Sequence, residues 1–401
     1  MFKTYSLMII FVAISLSGCN NDSSDSGATV TPETKSKPLI MGHRGVAGYY
    51  PDHTLFGYKK AVELGADFVE PDLVMTKDGV LVCRHEPYIG GTTDVANHPE
   101  FAGLRKSMEV DGIMIANEWF VSDFTLAQLK TLRAVQPLTK ERNPSYDRNP
   151  AYDGLFEIPT FEEMIVAVQD ENKRLGKNAG IIPEIKHSTY HAQIFKKVYL
   201  LEDEALRILA KYGYTKKEDP AFIQSFEVEN LKYLNQKTDL RLVQLIDYNG
   251  LNDDGTIKPG IKDVPYDYRA TNDFEKTYAS MLTPQGLVEM KKYADVLSTW
   301  TAFIIPSRFL DEDKDGKPDD LNRDGKIDER DRVLLPANDL VKNAHAAGLQ
   351  IIPFTMRNEP VRLASDYNNN PISEYQKFFA LGIDGIFSDF ADTAVKARDG
   401  K

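Results

Sequence analysis

Eight short apolar runs rich in β-branched residues, separated by stretches with helical spacing, govern what this chain can fold into. The runs fall at residues 39–42, 67–74, 180–185, 221–225, 240–246, 295–299, 349–355 and 384–388. Helical patterns occupy 53–64, 160–174, 200–212, 228–235, 273–293, 336–347 and 373–381. Strands that alternate with helices make parallel βα units, because only a long crossover returns the chain to the same end of a sheet. Eight of them predict an α/β chain closed into a (β/α)8 TIM barrel. Two stretches exceed what a barrel needs: residues 88–156 after the second run and the acidic segment 311–331 after the sixth.

Barrel enzymes keep their chemistry at the carboxyl ends of the strands. His43 and Arg44 follow the first run, Glu70 and Asp72 lie late in the second, and His85 ends an added run. Alternation in a strand sends residues i and i+2 to one face, so Glu70 and Asp72 can converge on one cation. Pro71 between them argues against a helix. Hard cations such as Mg2+ or Ca2+ take oxygen ligands. The imidazoles of His43 and His85 suit proton exchange near neutral pH, and Arg44 offers a fork of donors matched to phosphate oxygens.

In the segment IIPEIK, Glu184 and Lys186 share a face. Glu184 can complete the metal shell while Lys186 meets an anionic oxygen, although a strand-end ion pair is the plainer reading of the two alone. Gln224 closes the fourth run, and Trp300, Phe354 and Arg357 close the sixth and seventh, where they form either an aromatic wall for a substrate or ordinary rim packing. Singly, an E-x-D is most often a solvated strand edge and a buried His most often packing. In this order they point to metal-assisted cleavage of a phosphodiester.

The segment MGHRGVAGYYPDHTL and its continuation DFVEPDLVMTKDGVLVCRHEP resemble the glycerophosphodiester phosphodiesterase family, specifically its long, exported bacterial form. The shared signature is H-R-G after the first strand, P-E-N/H-T soon after, E-x-D on the second strand and H-D after a K-D-G turn. Asp52 stands where the family usually has Glu, and Glu86 where it has Asp. Both departures keep the charge. The resemblance implies the same barrel, Glu184 as third carboxylate ligand, an insertion after the second strand, and one catalytic divalent cation, Ca2+ more readily than Mg2+. It also implies release of sn-glycerol 3-phosphate and an alcohol from glycerophosphodiesters, in phospholipid breakdown and phosphate or carbon scavenging. Other readings are a phospholipase of C or D type, a teichoic-acid-trimming enzyme, and a surface binding protein without chemistry. Loss of turnover with retained affinity in His43→Ala would separate enzyme from binder.

Within 88–156, a helix is expected over 126–133 with Ser122 and Asp123 as caps, followed by an ordered loop rich in Pro, Asn and Tyr. In 311–331, Asp320, Asn322, Asp324, Gly325, Lys326, Asp328 and Asp331 fill positions 1, 3, 5, 6, 7, 9 and 12 of a calcium loop, with Ile327 at the apolar eighth. Asp311, Asp313, Asp315 and Asp319 make a partial copy before it. Such acidic density repels itself unless a cation intervenes, so a second, structural Ca2+ is expected here.

Lys3, the apolar run 7–16 and the ending L-S-G-C at Cys19 read as a lipoprotein signal peptide over 1–18, with Cys19 lipidated. Residues 19–37 read as a flexible tether and 38–401 as the catalytic domain. The expected partners are a small glycerophosphodiester and, through the lipid, a membrane: an exported protein, periplasmic or at the cell surface, and at the outer membrane where the cell has one. Beyond Cys19 only Cys83 remains, so no intramolecular disulfide is available to the mature body. A net charge of −12 argues against nucleic acid.

Overall fold

Two prolines shape the strands that carry the acidic residues. Pro71 and Pro183 have no amide hydrogen to donate, so each interrupts its ladder and splits one strand into two pieces. The computed structural model describes residues 37–400. The leader, Cys19 and the tether up to residue 36 lie outside the described residues.

The strands are β1 (Leu39–Gly42), β2 (Phe68–Val69 and Asp72–Met75), β3 (Gly180–Ile181 and Glu184–Ile185), β4 (Phe222–Ser225), β5 (Arg241–Ile246), β6 (Val296–Thr299), β7 (Gln350–Ile351) and β8 (Gly385–Ser388). All neighbours in this series run parallel, and β8 returns to β1 with Met41 opposite Phe387. A bridge from Met356 to Ser388 completes the circuit between β7 and β8. This is the expected barrel. Its strands are buried on both faces, as parallel strands under helices must be.

The outer layer contains α1 (Leu55–Glu63), α2 (Phe161–Leu175), α3 (Leu200–Lys211), α4 (Glu229–Leu234), α5 (Pro284–Met290), α6 (Leu340–Ala346), α7 (Pro371–Ala380) and α8 (Ala391–Asp399). Local chemistry sets several boundaries. Thr160 and Glu163 form a reciprocal capping box at the start of α2, and Gly176 ends it in the left-handed region. Tyr58, Val62, Met164, Val168, Leu209 and Phe378 bury the inward faces of α1, α2, α3 and α7 against the sheet.

Several expectations need correction. The helix expected over 273–293 is two short helices, Tyr278–Met281 and α5, because Pro284 cannot continue a helix and Thr283 accepts the Gly286 amide to begin a new one. The run expected over 349–355 pairs as a ladder only at Gln350–Ile351, with Pro353 following and single bridges at Phe354 and Met356. Helix 126–133 is only Leu126–Leu129, since the Arg133 amide is taken by Asp94 and that of Ala134 by the Phe156 carbonyl. Its cap is Thr125, in a capping box with Gln128; Asp123 instead pairs with Lys106, and the Ser122 hydroxyl lies 3.4 Å from that of Tyr190. The helix Ser188–Phe195 and α8 were not anticipated.

The insertion folds over its own small core, in which Ile89, Val95, Phe101, Trp119 and Phe124 pack together. Its most regular piece is a hairpin of Lys106–Val110 against Ile113–Glu118, turning through Asp111 and Gly112. Arg269 donates to the Asp111 carbonyl and ties the hairpin tip to the barrel mouth.

Candidate active site

The prolines place carbonyls where neighbouring strands need acceptors: the Glu184 amide donates to the Pro71 carbonyl and the Gln224 amide to that of Pro183, both at 2.9 Å. Asp72 therefore sits opposite Glu184, and Glu184 opposite Gln224, in one layer of the barrel. Glu70, Asp72 and Glu184 are all buried, with one oxygen from each within 4.8 Å of the others. Glu70 accepts from the Arg44 amide at 2.8 Å and from Gln224 Nε2 at 3.1 Å. Asp72 Oδ2 accepts from His53 Nε2 at 2.9 Å, while its Oδ1 is buried without a partner. Glu184 Oε1 lies 2.9 Å from Lys186 Nζ.

Three carboxylates so close resist sharing three negative charges. Burial, then the charge of Asp72, drives Glu70 well above the usual carboxylate range. Burial and Asp72 raise Glu184 to about 8 against the pull of Lys186. Burial alone would raise Asp72 too, but Lys186 and His53 hold it well below the usual range. The partnerless oxygen of Asp72 and the frustrated pair beside it fit a hard divalent cation.

Immediately above the acids, the H-R-G turn sharpens the strand end. Arg44 and Gly45 both take positive φ, 53° and 90°, and a Cβ on Gly45 would come within 2.8 Å of the Gly57 backbone. The turn aims the Arg44 amide at Glu70 and brings the guanidinium within 3.5 Å of Asp52 and Asp72. His43 Nδ1 lies 2.5 Å from Asp389 Oδ1, which leaves Nε2 facing the acids, 3.8 Å from Glu70. Burial, reinforced by Arg44, pushes His43 down to about 4 in spite of Asp389. Burial would raise Asp389, but Arg148 and His43 keep it well below the usual range. Arg148 Nη2 reaches Asp389 at 2.6 Å and Arg357 Nε at 3.2 Å.

His85 is the more accessible imidazole, its side chain 29% exposed against 10% for His43. Its Nδ1 meets Glu86 Oε1 at 2.9 Å. Burial, then the cations of Arg44 and Lys186, push it down to about 3. The other Glu86 oxygen lies 3.5 Å from His187 Nε2, and His187 Nδ1 is 2.5 Å from Asp111 at the hairpin tip. Burial would lower His187, but Asp111 and Glu86 outweigh it and lift the ring to about 9. Both candidate catalytic rings thus have Nδ1 tied to a carboxylate and Nε2 free to exchange a proton.

His43, Arg44, Glu70, His85, Glu184 and Gln224 line a cavity of about 70 Å³. Phe226, Trp300, Phe354, Arg357 and Phe387 are among the other residues that line it. Trp300 Nε1 donates to Asp247 at 3.1 Å. Gln224 and the expected aromatic wall are therefore at the site. Asp72 is grouped with Glu70 and Glu184 but does not line the cavity, and Lys186 forms an ion pair with Glu184.

The acidic segment is brought together differently from its sequence register. Asp311, Asp313 and Asp315 offer oxygens within 4.8 Å of one another. In the copy with the better register, Arg330 sits 2.6 Å from Asp324 and 2.5 Å from Asp328, and buried Asp331 accepts from the Leu321 and Asp328 amides. Asp320 and Asn322 accept backbone amides at Gly325 and Asp324. Arg330 thus stands between two of the expected ligands of this loop.

Sequence reasoning missed Asp389, Arg148, His53, Arg84, His187 and Asp111. Asp389 could have been found, since it follows the last strand by the rule that located the others. His53 lies in the quoted P-D-H-T, and buried Arg84 donates to the carbonyls of Asp52 and His53 at 2.8 and 3.0 Å. Arg148 and Asp111 carry no local signal.

The sequence profile of the glycerophosphoryl diester phosphodiesterase family matches residues 43–393. A glycerophosphodiester phosphodiesterase of Arabidopsis thaliana is 35% identical over 373 residues, spanning 90% of this chain and 86% of that one. Another, from Haemophilus influenzae, is 31% identical over 413 residues and spans 99% of each chain. An Oleispira antarctica phosphodiesterase solved with the product sn-glycerol-3-phosphate shares the fold at a TM-score of 0.51 and 16% identity, over 90% of this chain and 97% of that one.

Proposed function

The chain belongs to the glycerophosphoryl diester phosphodiesterase family, and from that premise we infer that it hydrolyses glycerophosphodiesters to sn-glycerol 3-phosphate and an alcohol. Glu70, Asp72 and Glu184 hold one divalent cation, Ca2+ in preference to Mg2+. When bound, it polarises the phosphoryl oxygens and offsets the charge of the three acids. Arg44 orients and neutralises the phosphate, and Lys186 acts from behind Glu184. One of His43 and His85 accepts the proton of the attacking hydroxyl or water at Nε2, and the other donates a proton to the departing alkoxide. Where the glycerol 2-hydroxyl attacks, the P–O bond to the alcohol breaks, a cyclic phosphate forms, and the two imidazoles exchange roles as water opens it.

The observation that carries this reading is the set of three buried carboxylates, one with an oxygen lacking any partner, beneath two imidazoles each tied at Nδ1 to its own acid. It is tested by following release of glycerol 3-phosphate from glycerophosphocholine with Ca2+, Mg2+ or EDTA. Metal-dependent release that is lost in His43→Ala and His85→Ala supports it. Absence of release from folded protein with either metal refutes it.

Two further parts of the reading rest on sequence. Cys19 is a lipid anchor of an exported protein, and Cys19→Ser should move the protein from the membrane to the soluble fraction. The 311–331 segment binds a structural Ca2+, and calorimetry should lose one Ca2+ binding event when it is deleted.

A further inference from the structure

A phosphodiester whose phosphate sits at the cavity lined by both imidazoles, about 70 Å³, has one arm to direct along the cavity wall. On the other side of Trp300 and Thr355, which line both, lies a second cavity of about 360 Å³. Its wall includes Tyr248, Glu329, Arg362, Tyr367 and Glu374, none of which the chemistry above uses.

Glu374, in the first turn of α7, is only 9% exposed, and among the described residues its carboxyl has neither a hydrogen bond nor an ion pair. Arg362, at the end of the turn Pro360–Arg362, likewise has no side-chain hydrogen bond or ion pair. The two feel each other's charge without touching. The Glu374 carboxyl and the partly buried Arg362 guanidinium therefore both have hydrogen-bonding capacity to offer a molecule in this cavity. Burial raises Glu374 to about 8, with Arg362 pulling down and Glu329 pushing up. An arriving ammonium group would favour the ionised carboxylate, and a carboxylate would complete the Arg362 fork. A single cation such as choline would satisfy Glu374 but would face Arg362.

Resting on the phosphodiesterase reading, we propose that this cavity is the leaving-group subsite and takes a zwitterionic amino-acid alcohol such as serine, its ammonium on Glu374 and its carboxylate on Arg362. A site built around paired polar groups discriminates sharply against a ligand that leaves one unmet.

The test measures kcat/KM of the full chain on glycerophosphoserine, glycerophosphoethanolamine, glycerophosphocholine and glycerophosphoglycerol, with calorimetric titration of glycerophosphoserine in parallel. The serine diester should be favoured about ten-fold or more. Arg362→Met should lower kcat/KM about ten-fold on that substrate alone, and Glu374→Gln should lower it on the serine and ethanolamine diesters while leaving the glycerol diester within about two-fold. Turnover of all four with equal sensitivity to both variants, or with none, overturns the subsite and leaves the phosphodiesterase reading standing. Tight binding of glycerophosphoserine that Arg362→Met weakens, without turnover of any diester, keeps the cavity as a binding site and overturns the catalytic reading. Neither binding nor turnover overturns both.

Discussion

At the scale of single residues, the site depends on groups that never touch substrate. Asp389 holds His43 at Nδ1 and so leaves the Nε2 lone pair toward the acids. Asp389→Asn should lower kcat roughly 10²-fold or more while changing KM little, because the wrong tautomer then faces the phosphate; a stopped assay of glycerol 3-phosphate release decides it. His187 plays the parallel part for His85, through Glu86. Its charged form is favoured in the fold, with a pKa of about 9. A folded pKa raised above the unfolded value contributes stability that is fully present below about 6.5 and is lost as pH rises through about 9. That contribution is at most on the order of 3 kcal/mol. Denaturant midpoints at pH 6.5 and 9.5 should therefore differ less in His187→Gln than in the unsubstituted protein, and equal differences would show that His187 carries no such linkage.

At the scale of elements, the insertion is part of the active site. It contributes Asp111 from the hairpin tip and Arg148 from the loop that follows, two residues that carried no signal in the sequence. Arg148 bonds Asp389 and Glu359, both at 2.6 Å, and is buried. Removing one partner from a buried charge network costs about 3 kcal/mol. Arg148→Ala should lower the melting temperature accordingly and slow turnover with it, whereas Arg105→Ala, an exposed arginine of the same insertion, should do neither. Element boundaries were legible where the deciding chemistry is local: Thr160 with Glu163 and Gly176 frame α2 nearly where its spacing ends. They were misread where a distant partner decides, as with helix Leu126–Leu129, which stops because Asp94 takes the Arg133 amide.

At the scale of the whole molecule, the barrel gathers three acids whose mutual repulsion a cation relieves. Saturating Ca2+ at about a hundred times its Kd should stabilise the fold by about 2.7 kcal/mol, and EDTA should remove that increment. Asp72→Asn, made in a chain lacking residues 311–331, should abolish the increment without unfolding the protein; thermal melts with and without Ca2+ read both. The sequence by itself determined the (β/α)8 architecture and singled out His43, Arg44, Glu70, Asp72, His85 and Glu184, which the barrel brings together at one end. It could do so because strand alternation, prolines and short motifs act over a few neighbouring residues. Only the tertiary structure decided that Asp389 orients His43 across 346 positions, that His187 and Asp111 stand behind His85, that Lys186 pairs with Glu184, and that Arg330 stands among the acidic loop's expected ligands. These contacts arise from closure of the barrel and folding of the insertion over its mouth, and no local periodicity encodes which distant side chains such closure brings together.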